Sequence, residues 1–464
     1  MISFVTNLAA PMGIVLKAQF GVSNFMGMLG NAGNFIAYAV MGIPGGILLS
    51  RIGYKKTALL AIAVGFVGVG IQYLSGYAGE TSAFAVYLTG AFVAGFSMCL
   101  LNTVVNPMLN TLGGGGNKGN QLIQVGGSFN SIMATFTPMF VGILIGEAAK
   151  ARITDIFPVM YIAMGVFALV FVVLWFVKIP EPNVETSKEP LLNLMKGALK
   201  FRHFILGAIA IFVYVGIEVG TPGIANLYMT TFTSEQAQAK IDEYEKQDSD
   251  ADYKQYCLTE DEKNKDAKDY EVKIIKEDTY HTASKVIEGD LKPGLGIKAG
   301  IAGTIVGIYW LLMLFGRLIG ASLGAKISSK TMMTFVSALG GIFVLLAILL
   351  PVNLSVDISN LIGGAAATSI PISIVFLVLC GLCTSIMWGG IFNLAVEGLG
   401  KYLAAASGIF MVLVCGGGLL PLLQGYITDI AGYMASYWVI FICLAYLLYY
   451  ALVGSKNVNK AIPV

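Results

Sequence analysis

Glu218 is a carboxylate inside the apolar run FILGAIAIFVYVGIEVGTPGIANLYM, with no other charge within about a dozen positions on either side. An ionised side chain at membrane depth costs roughly 2.5–3.5 kcal/mol on insertion scales, so a spanning helix that keeps one has a use for it. Ten of the 27 acidic residues lie outside residues 230–297, and nine of those ten sit at or near the ends of apolar runs; Glu218 is the tenth. Two kinds of chemistry are open to it. It can bind hydroxyl groups through charge-assisted hydrogen bonds, or it can be the titrating or cation-binding group of a coupled transport cycle. The plainer alternative is an ion pair with Arg317.

Amide side chains form a second set of candidates. Asn102 and Asn106 lie in LNTVVNPMLNTLG, Gln124 and Asn130 in QLIQVGGSFNSIMA, and Asn393 in SIMWGGIFNLAVEGLG. Amides at membrane depth offer donors and acceptors that suit a polar, uncharged ligand; their structural alternative is interhelical hydrogen bonding, worth about 0.6–2 kcal/mol per contact. The Asn106–Pro107 pair is expected to break a helix end and free backbone carbonyls. Tyr214, Tyr309, Trp310 and Trp388 can stack on an apolar face of a ligand, although membrane proteins also use such residues as interfacial anchors. Arg317 reads as structural, with Gly316 and Gly320 allowing close packing.

The elements that must position these residues follow from composition. With 56% hydrophobic and 12% charged residues and a mean hydropathy of +0.77, the chain differs from soluble proteins, which carry about 25% charged residues. Twelve apolar runs are long enough to cross a bilayer as helices: 1–19, 25–49, 57–76, 83–107, 121–145, 156–178, 203–229, 299–324, 331–351, 369–396, 404–428 and 434–454. The first is the weakest. Thr6, Asn7 and the poor match to a small-residue cleavage site argue against a signal peptide there, and an upstream start is left open.

Basic residues set the orientation. With both termini inside, fourteen Lys and Arg residues fall on cytoplasmic segments and three (Lys17, Lys150 and Arg152) on outer connections other than the long insert. This is a positive-inside bias. Cys99, Cys380, Cys383, Cys415 and Cys443 fall within spans and read as packing residues. Cys257 stands alone in the insert, so no disulfide framework is implied.

The spans divide six and six: a first bundle over 1–178, a connector over 179–202, a second bundle over 203–454 and a tail over 455–464. An outer insert at about 230–297 holds 17 of the acidic residues. Thr259 and Glu262 have capping-box spacing there, which predicts a short surface helix after them. The insert reads as a solvated family-specific addition, with a lid or docking element as the functional alternative.

Several segments resemble the fucose–galactose–glucose:proton symporter family of the major facilitator superfamily. GIPGGILLSRIGYKK is similar to the superfamily's G-x-x-x-D-R-x-G-R-K loop through Gly46, Arg51, Gly53 and Lys55, with Ser50 at the usual Asp position. TVVNPMLNTLG with QLIQVGGSFNSIMA, FVYVGIEVG, YWLLMLFGRLIGASL and the Trp388 and Asn393 segment match the family in its order. The resemblance covers most of the chain outside the insert. It implies an all-α polytopic membrane protein of major facilitator fold, with twelve transmembrane helices in two six-helix bundles enclosing a midplane site.

It also implies a secondary transporter that takes up a neutral monosaccharide by alternating access, not an enzyme. The substrate-binding candidates become Asn102, Asn106, Gln124, Asn130, Tyr214, Glu218, Trp310, Trp388 and Asn393, with Gly46, Arg51, Gly53 and Lys55 as a gating loop. The family's proton chemistry rests on carboxylates in spans one and four; here Ile14 and Asn102 stand at those places, which leaves Glu218 as the coupling candidate. Proton symport is therefore set beside sodium coupling and uniport, and a membrane sugar sensor is the alternative of a different class. A membrane-embedded enzyme is disfavoured: there is no H-E-x-x-H, and His203 and His281 fall at a span end and in the insert. The expected partners are a small sugar, a proton or sodium ion and the lipid bilayer, with no nucleic acid, cofactor or metal centre. A monomer in a bacterial cytoplasmic (inner) membrane is expected.

Overall fold

The computed structural model describes residues 2–112, 116–146, 148–179, 191–249, 279–323, 327–359, 369–399 and 402–458. Twelve long helices organise it: α1 (Ile2–Phe20), α2 (Leu29–Leu49), α3 (Arg51–Tyr77), α4 (Ser82–Val105), α5 (Val125–Ile145), α6 (Ile153–Phe176), α7 (Arg202–Thr230), α8 (Ala299–Gly320), α9 (Ser329–Leu349), α10 (Ile372–Val396), α11 (Ala405–Ala431) and α12 (Tyr433–Gly454). All but α1 are long and apolar enough to cross a membrane by length and composition. A spanning chain must satisfy its backbone internally, and helices do so. The polar side chains of α1 (Ser3, Asn7 and Lys17) are buried, because protein rather than lipid surrounds it.

The first six helices pack together, with α2 and α3 on α4, α3 on α6 and α1 on α5. The last six do the same: α7 lies on α11 and α12, α9 on α12, and α10 on α8 and α9. Two seams join the bundles, α5 against α8 and α2 against α11. The α5–α8 seam has no room for a side chain at Gly142 or Gly303. A Cβ on Gly303 would strike the Pro138 carbonyl, and one on Gly142 would strike the Ala299 carbonyl. Small residues of this kind let spanning helices approach backbone to backbone. Of the α7 window 61% is buried, against 28% for α6 and α9, so α7 is central and the other two face outward.

Near the start of α3 the helical run from α2 is broken at Gly53, whose φ of 81° and ψ of 174° suit glycine alone. For reference, the end of the molecule containing Gly53 is called the Gly53 end and the opposite one the Asn24 end. Helix α10 is interrupted between Thr384 and Met387, and α11 between Leu413 and Gly416.

Two local features differ from the sequence-based expectation, and a third was not anticipated. The helix containing α4 runs unbroken past Asn106–Pro107 to Leu112; a proline forfeits one backbone bond, and the other bonds of the helix carry it through. An antiparallel ladder, β1 (Ser355–Asp357) with β2 (Ser369–Pro371), links α9 to α10, with Ser355 opposite Pro371. In the insert, the capping box forms at Thr233: Gln236 N donates to Thr233 Oγ1 at 3.1 Å and Thr233 N to Gln236 Oε1 at 3.2 Å, opening the helix Ser234–Ser249. Thr259, Glu262 and Cys257 lie outside the described residues.

The insert helix Ser234–Ser249 packs against a second helical segment, 279–288. Ala237, Ala283, Val286 and Leu291 form a small apolar cluster of their own. The chain then returns along the end of α7, where Leu295 N donates to Tyr228 O, Gly296 N to Thr231 O and Ile297 N to Met229 O at 2.7–2.9 Å.

Candidate functional site between the bundles

A cavity of about 20 Å3 lies where the bundles meet, lined by Thr6 and Asn7 of α1, Asn31 of α2, Pro138 of α5, Val219 and Pro222 of α7, and Val306 and Trp310 of α8. That is room for a single water; a sugar requires the bundles to move apart. Prolines recur around it: Pro11, Pro138 and Pro222 lie inside α1, α5 and α7. Each lacks the N–H that would bond four residues back, so each frees a carbonyl at membrane depth. The one freed by Pro222 belongs to Glu218, and the Tyr309 hydroxyl donates to it at 3.3 Å.

Next in the chain to the cavity-lining Val219, Glu218 Oε1 stands 3.6 Å from Arg317 Nη2, with side chains 16% and 12% exposed. Arg317 also reaches across the seam, where its Nη1 donates to Gly127 O at 2.6 Å and to Ser131 Oγ at 2.9 Å, both on α5. The guanidinium thus joins a carboxylate of the second bundle to the backbone of the first. Arginine's fork of donors suits this double duty. Gly316 and Gly320 do pack closely, against Ser385 and Ile386 at the break in α10, so Arg317 sits on a rigid part of α8. The sequence held a signal for its second role: a lone arginine and a lone carboxylate in facing spans tend to pair.

The other candidates separate. Trp310 lines the cavity and meets Tyr309 edge to face at 5.4 Å. Tyr214, fully buried, lies one turn before Glu218; its hydroxyl forms no well-shaped hydrogen bond. Trp388 packs edge-on against Tyr214 at 6.1 Å and is not among the cavity-lining residues. Asn102 donates to the Tyr38 hydroxyl at 2.8 Å within the first bundle, the structural role open to an interhelical amide. Asn130 and Asn393 are exposed and away from the cavity lining. The side chains of Asn106 and Gln124 lie outside the described residues.

At the start of α3, Arg51 is exposed and Lys55 Nζ donates to Trp175 O at 2.9 Å, at the carbonyl-rich end of α6 where a cation is favoured. Gly46 has no close neighbour; the tight contact is at Gly42, against Val412 of α11.

Sequence reasoning missed the Asn24 end entirely. The buried Lys17 ammonium donates to Asn24 Oδ1 at 2.7 Å, Thr231 Oγ1 at 2.9 Å and Tyr433 OH at 3.3 Å. Asp429 Oδ1 accepts from Asn24 N and Nδ2, and its Oδ2 from Phe25 N. The α1–α2 turn is thereby held to α7, α11 and α12. The insert joins in through Lys285, whose ammonium donates to Gly21 O.

Two six-helix bundles meeting at a small, mostly apolar cavity that carries a few amide and hydroxyl groups are the architecture of a membrane transport protein rather than an enzyme. The chain belongs to the Major Facilitator Superfamily, which it matches over residues 1–239. It is 26% identical over 451 residues to a glucose/galactose transporter of Brucella abortus biovar 1 (95% of this chain, 88% of that protein). It is also 26% identical to a putative glucose/galactose transporter of Helicobacter pylori strain J99 (98% and 95%) and 19% to the L-fucose-proton symporter of Escherichia coli K12 (90% and 82%). Among solved structures, the E. coli fucose:proton symporter superposes with a TM-score of 0.62 at 17% identity (98% of this chain, 97% of that one). A nucleoside transporter superposes with a TM-score of 0.57 at 14% identity (98% and 97%). These two share the fold.

Proposed function

We propose that this protein takes up a neutral monosaccharide of the glucose, galactose or fucose kind by alternating access, coupled to a cation. The observation that carries the reading is the central cavity, to which both bundles contribute: amides and a hydroxyl from α1 and α2 meet the indole of Trp310 from α8. Neutral donors and acceptors beside an aromatic face suit a sugar, and no basic cluster is there to hold a sugar acid or phosphate. The names of the relatives point the same way.

Glu218 is the coupling group in this reading. Its partner Arg317 is bonded to α5 of the other bundle, so neutralising or recharging the carboxylate changes how firmly the seam is held. A proton fits this arrangement better than sodium, since a guanidinium already stands beside the carboxylate. Uniport is the second reading, favoured by Ile14 and Asn102 standing where the resembling family has acids.

Basic-residue placement supports a cytoplasmic Gly53 end, an outer Asn24 end and both termini inside, in a bacterial inner membrane. The bundles would divide at 1–178 and 203–454 around a connector at 179–202, with the insert at about 230–297 and a tail at 455–464. The protein would work as a monomer.

Counterflow of radiolabelled D-glucose, D-galactose and L-fucose in proteoliposomes tests the reading, with and without an imposed pH or sodium gradient. Flux that a pH gradient drives uphill, and that Glu218→Gln leaves able to exchange but unable to accumulate, supports proton coupling. Binding without flux would make the protein a sensor instead.

A further inference from the structure

Asn31 is 1% exposed and lines the central cavity. Its Nδ2 donates at 2.8 Å to Gly417 O, in the opposite bundle, while its Oδ1 has no hydrogen-bond partner. The sequence explains why that carbonyl is available. Pro421 lies four residues beyond Gly417 inside α11 and has no N–H to give it. The same bond fixes which way the amide points. Gly417 O can only accept, so the nitrogen must face it and the oxygen must be the end left over.

Of the fourteen buried side-chain polar atoms without a hydrogen-bond partner among the described residues, Asn31 Oδ1 is the one that belongs to a residue lining this cavity, and such a group calls for a physical reason. Thr6, Asn7 and Trp310 lie around the same cavity, which places polar groups opposite an apolar aromatic surface. A pyranose has that division, with equatorial hydroxyls at its rim and C–H groups on its faces. An ionised carboxylate has no hydrogen to donate, and the negative charge of a carboxylate or phosphate would meet the amide oxygen unfavourably.

We propose that Asn31 is a substrate-recognition residue whose Oδ1 accepts a hydrogen bond from one hydroxyl of a neutral sugar, while its Nδ2 ties α2 to α11. One amide then both reads the occupant and holds the seam. Asn31 thereby has a direct route for linking occupancy to the approach of the two bundles. The inference rests on the sugar-transport reading above and adds a recognition residue to it.

The test is a binding cycle in detergent, using D-glucose and D-galactose with their monodeoxy and monofluoro series against wild type and Asn31→Leu. Fluorine and hydrogen cannot donate, so at one ring position the analogue should bind wild type roughly tenfold more weakly than the parent sugar. In Asn31→Leu that penalty should vanish, while penalties at the other ring positions persist. Penalties that are the same at every position in variant and wild type overturn the proposal. If Asn31→Leu does not fold, Asn31→Ala removes the same acceptor without added bulk and the cycle is read on it. Wild type that binds none of these sugars overturns the sugar-transport reading, and the inference with it. Wild type that binds them with penalties indifferent to Asn31 overturns the inference alone.

Discussion

Lys17 and Thr231 lie 214 residues apart in the chain and meet with Nζ 2.9 Å from Oγ1. Through this contact the first helix of one bundle is bonded to the first helix of the other, and Asn24, Tyr433 and Asp429 extend the connection to α11 and α12. A buried ammonium needs several partners to offset its lost hydration; here those partners come from both bundles, so the bundles cannot separate at this end without stranding the charge.

Lys17→Met should therefore loosen the Asn24 end. Hydrogen bonds to a charged group contribute about 1.5–3 kcal/mol, so the balance between closed and open forms should shift by roughly tenfold or more. Trp310 reports it. In a variant whose other tryptophans are phenylalanine, acrylamide quenching of Trp310, 8% exposed in the closed form, should rise on Lys17→Met. Unchanged quenching would show that Lys17 does not hold the gate.

The Glu218–Arg317 pair should respond unequally to loss of either partner. Glu218→Gln leaves Arg317 its bonds to Gly127 and Ser131, so thermal stability should fall little. Arg317→Met leaves a carboxylate without its cation and releases α5 as well, a change that costs about 3–5 kcal/mol for a buried pair. The double variant should recover part of that loss. Melting curves of the three proteins in one detergent check the order; equal losses from the two single variants would contradict it.

Gly303→Val should damage transport and stability together, because its Cβ would occupy the place of the Pro138 carbonyl. Overpacking of a tight contact costs about 1–3 kcal/mol. Gly46→Val, in the loop that resembles a gating motif, meets nothing within 4 Å and should be tolerated. Counterflow rates and melting temperatures of the two variants should diverge accordingly.

The sequence made the spans visible because lipid imposes a composition on any helix that crosses it, and Glu218 was visible because it violates that composition. Arg317 was legible as a residue flanked by glycines but not as a link between bundles, since nothing local says which helix its fork will reach. Asn24, Thr231, Asp429 and Tyr433 look like ordinary residues at span ends; their meaning depends on two bundles closing over one another. Asn31 was hidden for a similar reason. Its chemistry comes from Pro421 on a helix almost 400 residues later, a pairing that no periodicity encodes. In the insert, Thr233 and Gln236 carry the capping spacing in plain view and form the box, a signal the sequence reading passed over.

The insert itself should prove separable from the membrane body but not indifferent to it. Ala283 is fully buried in the small cluster with Ala237, Val286 and Leu291, which is distinct from the main core. Ala283→Asp places a charge there without a partner, which that cluster cannot absorb. Proteolysis within the insert should accelerate, while the melting temperature of the helical body holds. The Lys285 contact with Gly21 would be lost with it, so Trp310 quenching should also rise, by less than with Lys17→Met because the Lys17 network remains. Lys285→Ala should reproduce the quenching change without the proteolytic one. If both variants leave Trp310 as protected as in wild type, the insert does not brace the Asn24 end.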